Sequence, residues 1–276
     1  MNLNPKQIIL SVSLFGLVSC GETPTSQLSE QFPVIRSGPH NMNFAFIPRG
    51  HFRMGSPKDE KDREDDERQY WVKLTEDYWM QTTEVTVAQW HKVMGSFPDN
   101  KCWKRHYEKK ETDYPMLCVN WYEVKGFVDR LNTQERNSGY KYSLPTEAQW
   151  EYAARGYTET PYSIDGSLKS FAWYSSSSDD QTHLVGNLKA NFFGLYDVHG
   201  NVYEWVSDWY EEDYPKAESY SDAVINPKGP NNGSERILRG GSWFNPAQYC
   251  RSAVRYRDSA SIREDNNGFR LMRIKI

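Results

Sequence analysis

Beyond residue 157 the sequence turns rich in Gly, Ser, Asn and aromatic residues and carries few periodic segments. Apolar periodicity is what marks helices and half-buried strands in a sequence. Compact domains seldom hold so much irregular chain. A domain built from it needs other ties, so the expected fold is held by turns, bound ions or buried polar networks. Aromatic residues make up 14% of the chain and include ten tryptophans. The core is therefore expected to rest on rings, several with a polar handle that must find a partner.

Regular structure is legible upstream. "FAFIPRGHFRMGS" alternates apolar and polar and ends in Gly-Ser, which predicts a strand or hairpin arm. Three short helices carry capping signals. Thr86 stands three residues before Gln89 in "TVAQWHKVM", and Thr146 three before Gln149 in "TEAQWEYAAR", with Gly156 past its end. Asn120 precedes Glu123 in the third, where Val124, Phe127, Val128 and Leu131 fall on one face. These stripes are core. Between strand and helices, "PKDEKDREDDERQYWVKL" opens with a dense charge run of both signs. It reads as a solvated loop, because interleaved Lys and Arg argue against carboxylates converging on a metal.

The N-terminus reads separately. Lys6 precedes an apolar run from Ile8 to Val18, too short to span a bilayer and fit for export. The run ends in Leu17-Val18-Ser19-Cys20, which resembles the bacterial lipobox. That resemblance implies a signal peptide over residues 1–19, a lipidated Cys20 and a tether over 20–42, rich in Pro, Ser, Thr and Gly. Gly21 carries no retention cue of the Asp type, so the outer membrane or cell surface is the expected location. The globular domain is expected over 43–276. A net charge of -4 gives no footprint for nucleic acid. A mean hydropathy of -0.81 excludes a polytopic membrane protein.

Export places the remaining cysteines in an oxidising compartment. Cys102 and Cys118 flank a charged loop, and a disulfide between them is expected. Cys250 is then odd. It has three readings: a redox or metal site, a packing residue, or half of a pair whose partner is gone.

"GHFRMGS", "TTEVTVAQW", "YSLPTEAQWEYAARG", "NFFGLYDVHGNVYEW" and "RILRGGSWFNPAQYCRSAVRYR…NNGFRLMR" occur in that order. Together they resemble the sulfatase-modifying-factor family, whose founding activity is formylglycine generation. The resemblance runs from about Asn43 to Arg273 and implies an α+β, C-type-lectin-like fold with little regular structure. The family's oxidases hold copper(I) between two cysteine thiolates five positions apart. The second position matches Cys250 and the first falls on Asn245. Copper(I) favours soft thiolate, and an amide oxygen is a poor substitute. No histidine lies in residues 239–276, and nothing in the sequence brings His183 or His199 there. Cys250 therefore reads as a buried remnant and copper(I) is not expected. Ser242, Trp243, Asn245 and Tyr249 match positions that line the family's pocket.

Calcium is expected. The family binds it through positions matching Asp197, Gly200, Val202 and Glu204, the middle two giving carbonyl oxygens. Asp and Glu supply the hard charged donors that calcium wants. A second family site falls around Ala172 to Asp180, where "FAWYSSSSDDQTH" lacks the usual pattern. Relatives with non-heme iron carry an N-terminal four-helix domain, where this chain has a short tether. Arg251, Arg255, Arg257, Arg263 and Arg270 have two readings, an anion site or braces on carboxylates. The tail also resembles a retroelement-diversified pattern, whose variable positions would be Phe244, Asn245, Tyr249, Val254, Tyr256, Asp258, Ser259 and Ile262.

The reading these residues favour is a lipid-anchored envelope protein that binds a small ligand or a partner protein. The alternative is an active formylglycine-generating oxidase or related oxygenase.

Overall fold

The structure, a computed structural model, describes residues 33–106 and 113–276. The expected signal peptide and lipidation site at Cys20 lie outside the described residues. Strands and helices are numbered in chain order. The largest sheet is antiparallel throughout, in the order β1 (Ile35–Ser37), β2 (Asn43–Ile47), β5 (Tyr78–Gln81), β12 (Met272–Lys275), β6 (Tyr140–Ser143). The last strand thus inserts between β5 and β6, joining the C-terminus to the N-terminal half of the sheet. A second sheet runs β10 (Tyr256–Ser259), β9 (Glu235–Arg239), β7 (Tyr203–Trp209), β11 (Asn267–Gly268). A third joins β3 (Gly50–Met54), β4 (Tyr70–Leu74) and β8 (Val224–Ile225). The "FAFIPRGHFRMGS" stretch does not close a hairpin on itself. Its two arms, β2 and β3, enter different sheets.

All three predicted helices form, as α1 (Val87–Met94), α3 (Trp121–Gln134) and α4 (Glu147–Arg155). Each starts with a complete capping box, at Thr86, Asn120 and Thr146. Gly95 and Gly156 end α1 and α4 in the left-handed region, where no Cβ is tolerated at low cost. A further six-residue helix, α2 (Lys101–His106), carries Cys102, which is disulfide-bonded to Cys118 with a Cα separation of 5.5 Å.

The main core is aromatic. Trp90 stacks on Phe127 at 5.3 Å, and Phe269 meets both edge-on. Two buried core indoles keep their polar handles satisfied: Trp121 Nε1 donates to Val206 O at 2.8 Å and Trp205 Nε1 to Val119 O at 3.2 Å.

The charge run after Pro57 is solvated as expected at Lys58, Asp59, Lys61, Asp62, Glu64 and Asp65, but not throughout. Glu67 is fully buried and Asp66 nearly so. Arg251 forks onto Glu67 with bonds of 2.7 and 2.8 Å, and Glu60 joins it at 2.6 Å. The sequence shows the mixed signs but not a partner 184 residues away. All five tail arginines are braces, which removes the anion-site reading. Arg255 pairs with Glu147, Arg257 with Asp66 and Glu235, Arg263 with Glu123, and Arg270 with Glu204.

Candidate functional site

Gly240 and Gly241 both take positive φ, 96° and 75°, and lead into the segment that carries Cys250. A Cβ on Gly241 would come within 2.6 Å of Cys250 Sγ, so only glycine lets this turn lie on the thiol. Cys250 is fully buried beside Ala172 and Tyr174, and burial pushes its thiol up to about 12. A metal would have to displace the thiol proton, since it is the thiolate that ligates, and among the described residues no second free thiol is present to share the ion. Asn245 is occupied in the turn itself. Its Oδ1 accepts the Ser242 hydroxyl at 2.5 Å, and its backbone O accepts Ser175 N–H at 3.0 Å.

His199 does reach this segment, by its backbone. Its Nε2 accepts the Ser163 N–H at 3.0 Å, so Nδ1 carries the proton and donates to Cys250 O at 2.8 Å. Both nitrogens are used, and burial lowers the imidazole to about 4. His183 stacks on Trp173 at 3.7 Å and meets Ser178 O at 2.7 Å. The residues at positions 245 and 250 do not fit a copper(I) centre: one thiol with no second free thiol among the described residues, one amide already bonded to Ser242, and a His199 whose two nitrogens are both used.

The segment after Tyr196 is turned by Asp197 (φ 58°) and Gly200 (φ 108°), where a Cβ would strike Trp173 O at 2.1 Å. Asp197, Gly200, Val202 and Glu204 are all buried. Glu204 receives Arg270 Nε on Oε2 and Nη2 on Oε1, both at 2.6 Å, and Trp150 Nε1 on Oε2 at 2.7 Å. Three of its four lone-pair positions are filled and one is left. Asp197 Oδ2 accepts the Gly186 N–H at 2.7 Å, while its buried Oδ1 has no donor.

Glu84, absent from the sequence reading, completes the cluster. Its Oε1 accepts Asn201 Nδ2 at 3.1 Å and its Oε2 is buried without a donor. Three buried carboxylates therefore face one guanidinium. Burial pushes Glu84 well up, with Asp197 adding to it, and pushes Asp197 up to about 6. Among the described residues no group of three His, Cys, Asp or Glu side chains is arranged to hold a metal. The donor set still leaves room for one: an open Asp197 oxygen, one Glu204 lone pair, and an excess charge of two.

Beside the Gly-Gly turn lies an open cleft of about 430 Å³ lined by Trp243, Phe244, Tyr256, Asp258 and residues 264–267. Of the four expected pocket residues only Trp243 lines it. Ser242 is buried under the turn, and Asn245 and Tyr249 sit outside the lining. Phe244 is 63% exposed, and Tyr256, stacked on Tyr203 at 4.8 Å, is 43% exposed. Asp258, Glu264 and Asp265 give the cleft its charge, and no basic residue lines it. The neighbouring Arg257 and Arg263 face other acids. Asn267, 1% exposed, has neither amide atom hydrogen-bonded. Sequence reasoning missed Asn267, although it sits in the "NNGFR" it quoted. Of the positions matched to a diversified tail, Val254 is buried.

Comparison with known proteins agrees with this architecture. The solved structure titled Treponema denticola variable protein 1 superposes with a TM-score of 0.73 at 29% identity, over 87% of this chain and 99% of that one. The formylglycine-generating enzyme of Streptomyces coelicolor is 32% identical over 179 residues, covering 57% of this chain and 52% of that protein. The serine/threonine-protein kinase pkn1 of Chlamydia caviae is 35% identical over 159 residues, 57% of this chain but 24% of the kinase. The chain thus spans from about a quarter to about half the length of these two curated relatives. The family profile described as "Sulfatase-modifying factor enzyme 1-like domain" matches residues 31–275. With that match across nearly the whole described chain, and an α+β, lectin-like architecture shared with its structural neighbours, the protein belongs to the sulfatase-modifying-factor family.

Proposed function

We propose that this protein is a binding member of its family, held at the cell envelope by a lipid on Cys20, and not a copper oxidase. The observation that carries this is the setting of Cys250: fully buried, the one free cysteine among the described residues, with Asn245 at the position of the other thiolate and its amide already bonded to Ser242. The binding surface is the cleft beside it. Exposed Phe244 and Tyr256 supply apolar contact, and Asp258, Glu264 and Asp265 favour a cationic group on a small ligand or partner protein. Calcium at Asp197, Gly200, Val202 and Glu204 braces the loops behind it. What supports calcium is the two-charge excess around Arg270, which a divalent cation would neutralise.

The test is metal analysis of the full chain in detergent. Copper(I) is titrated under reducing conditions beside a Cys250→Ser control, and calcium is measured in the same sample. We expect stoichiometric calcium and no tight copper. Tight copper that disappears in the control would restore the formylglycine-generating activity that the Streptomyces relative's name describes. The anchor is tested by fatty-acid labelling of the expressed chain, which Cys20→Ala should abolish.

A further inference from the structure

A second cavity lies away from the Gly-Gly turn, between α4, β7 and the 227–230 loop. It measures about 260 Å³. Met54, Tyr70, Trp209 and Tyr214 give it an apolar, largely aromatic wall. Asp208 stands in that wall and is 3% exposed. Its Oδ2 accepts the Glu147 N–H at 3.0 Å and the Ser207 hydroxyl at 2.8 Å. Its Oδ1 accepts no hydrogen bond among the described residues, and no cation there reaches salt-bridge distance of it. This separates Asp208 from Glu147 beside it, which Arg255 holds at 2.8 Å.

An unpaired buried carboxylate is costly unless something compensates it. The lining charges do not. Glu147 and Arg255 cancel, which leaves Asp208, Glu211 and Asp213 against Lys228. Burial, with the charge of Glu147 close by, pushes the Asp208 carboxyl up to about 7, as expected of an acid lacking a counter-ion. The walls are flat rings, the open acceptor is one carboxylate oxygen, and the surplus charge is negative. A ligand that meets all three is a small primary amine with a flat apolar body.

We propose that this cavity is a binding site for such an amine, its ammonium donating to Asp208 Oδ1 and its body lying among Tyr70, Trp209 and Tyr214. The site is separate from the cleft at Trp243 and does not depend on how that cleft is used. A charge-assisted bond in a half-enclosed apolar cavity is stronger than the same bond in water.

The probe is benzylamine, titrated into the full chain in detergent and followed by ligand-observed NMR, with benzyl alcohol as the neutral isostere. Saturable binding of benzylamine, at least tenfold weaker binding of the alcohol, and a similar loss in Asp208→Asn are expected. The asparagine keeps an oxygen for the Glu147 and Ser207 donors. If that variant does not fold, Lys228→Glu at the exposed mouth serves instead and should tighten benzylamine several-fold. The proposal is overturned if benzylamine does not saturate the wild type. Equal binding of amine and alcohol, or no response to either substitution, overturns it as well.

Discussion

Two clusters of buried charge tie this fold together, and they are built on opposite rules. Around α4, Glu60, Glu67, Glu147 and Glu151 meet Arg155, Arg239, Arg251 and Arg255, four acids to four guanidiniums. Behind the 196–204 turn, Glu84, Asp197 and Glu204 share Arg270 alone. The first cluster is closed in that each of these four acids has a guanidinium partner. The second is open, and two of its oxygens have no donor. Low regular structure explains the first, since irregular loops need ties that strands and helices would otherwise give. The second can be completed only from outside, by protons or by a cation.

The largest effect should come from breaking the closed cluster. Arg239 is fully buried, pairs with Glu151, and donates to the carbonyls of Ala253 and Ser252 at 2.8 Å. Arg239→Ala leaves Glu151 with Arg155 as its one charged partner, beside the Gly55 N–H, and these carbonyls unbonded. Removing one partner of a buried pair typically costs about 3–5 kcal/mol. Denaturant unfolding should show that loss. A change below about 1 kcal/mol, within the range of an ordinary surface substitution, would mean the cluster is not closed as described.

The open cluster should show itself through pH. Asp197 has its carboxyl raised from 3.8 to about 6, so between those values the folded chain keeps a proton that the unfolded chain releases. Its contribution therefore falls as pH rises through that window. His199 is lowered from 6.5 to about 4, so there the unfolded chain binds the extra proton and stability rises with pH. Each slope is worth up to about 1.4 kcal/mol per pH unit, and the two oppose each other. Asp208, raised to about 7, and Glu84, also raised by burial, add contributions that fall with pH in the same way as that of Asp197. Urea midpoints should therefore fall from pH 4 to 6 in the wild type, less steeply in Asp197→Asn and more steeply in His199→Gln. Saturating calcium should mimic Asp197→Asn on the pH profile if the cation displaces the proton.

How much of this was legible from sequence follows from range. The capping boxes at Thr86, Asn120 and Thr146 are local, three residues long, and all were readable. The tail arginines were visible as an anion site or as braces, but their partners were not, because Arg251 and Glu67 meet only after the chain has folded. The adjacent arms β2 and β3 join different sheets, which alternation alone cannot tell. At the candidate site, Asp197 and Glu204 were legible from their spacing in one turn. Glu84 was not, since it arrives from more than a hundred residues away. Asn245 was legible as a departure from the thiolate pair that the family resemblance implies. What the amide does instead, bonding Ser242, needed the coordinates.

A smaller effect sharpens the comparison by sign. Glu67 takes Arg251 on both oxygens and the Ser56 hydroxyl at 2.7 Å, all lost or weakened in Glu67→Gln. Bonds to charged groups contribute about 1.5–3 kcal/mol, and a loss of that size is expected. Glu84→Gln removes one of three crowded acids instead. Without calcium it should be neutral or stabilising by several tenths of a kcal/mol, within the range of mild substitutions. Equal losses at the two positions would erase the distinction between closed and open clusters.

The smallest expected effect is at Cys250, and it separates the thiol from both charge clusters. Its Sγ is buried against Ala172, Tyr174 and the Gly241 turn, and it pairs with no charge. What anchors this segment is the backbone bond from His199 to Cys250 O, which any residue at 250 can keep. Cys250→Ala therefore removes one packed sulfur and should cost about 1 kcal/mol, a typical single-substitution loss. The pH profile should not move, because the thiol titrates near 12, far above the window set by Asp197 and His199. Calcium content should stay as it was, since none of the four proposed calcium residues touches the sulfur. A thiol that worked as a ligand would behave otherwise, since burial would not keep it protonated and its removal would cost the protein a bound metal. A drop of several kcal/mol on Cys250→Ala, accompanied by loss of bound copper, would place a metal where the geometry shows only packing.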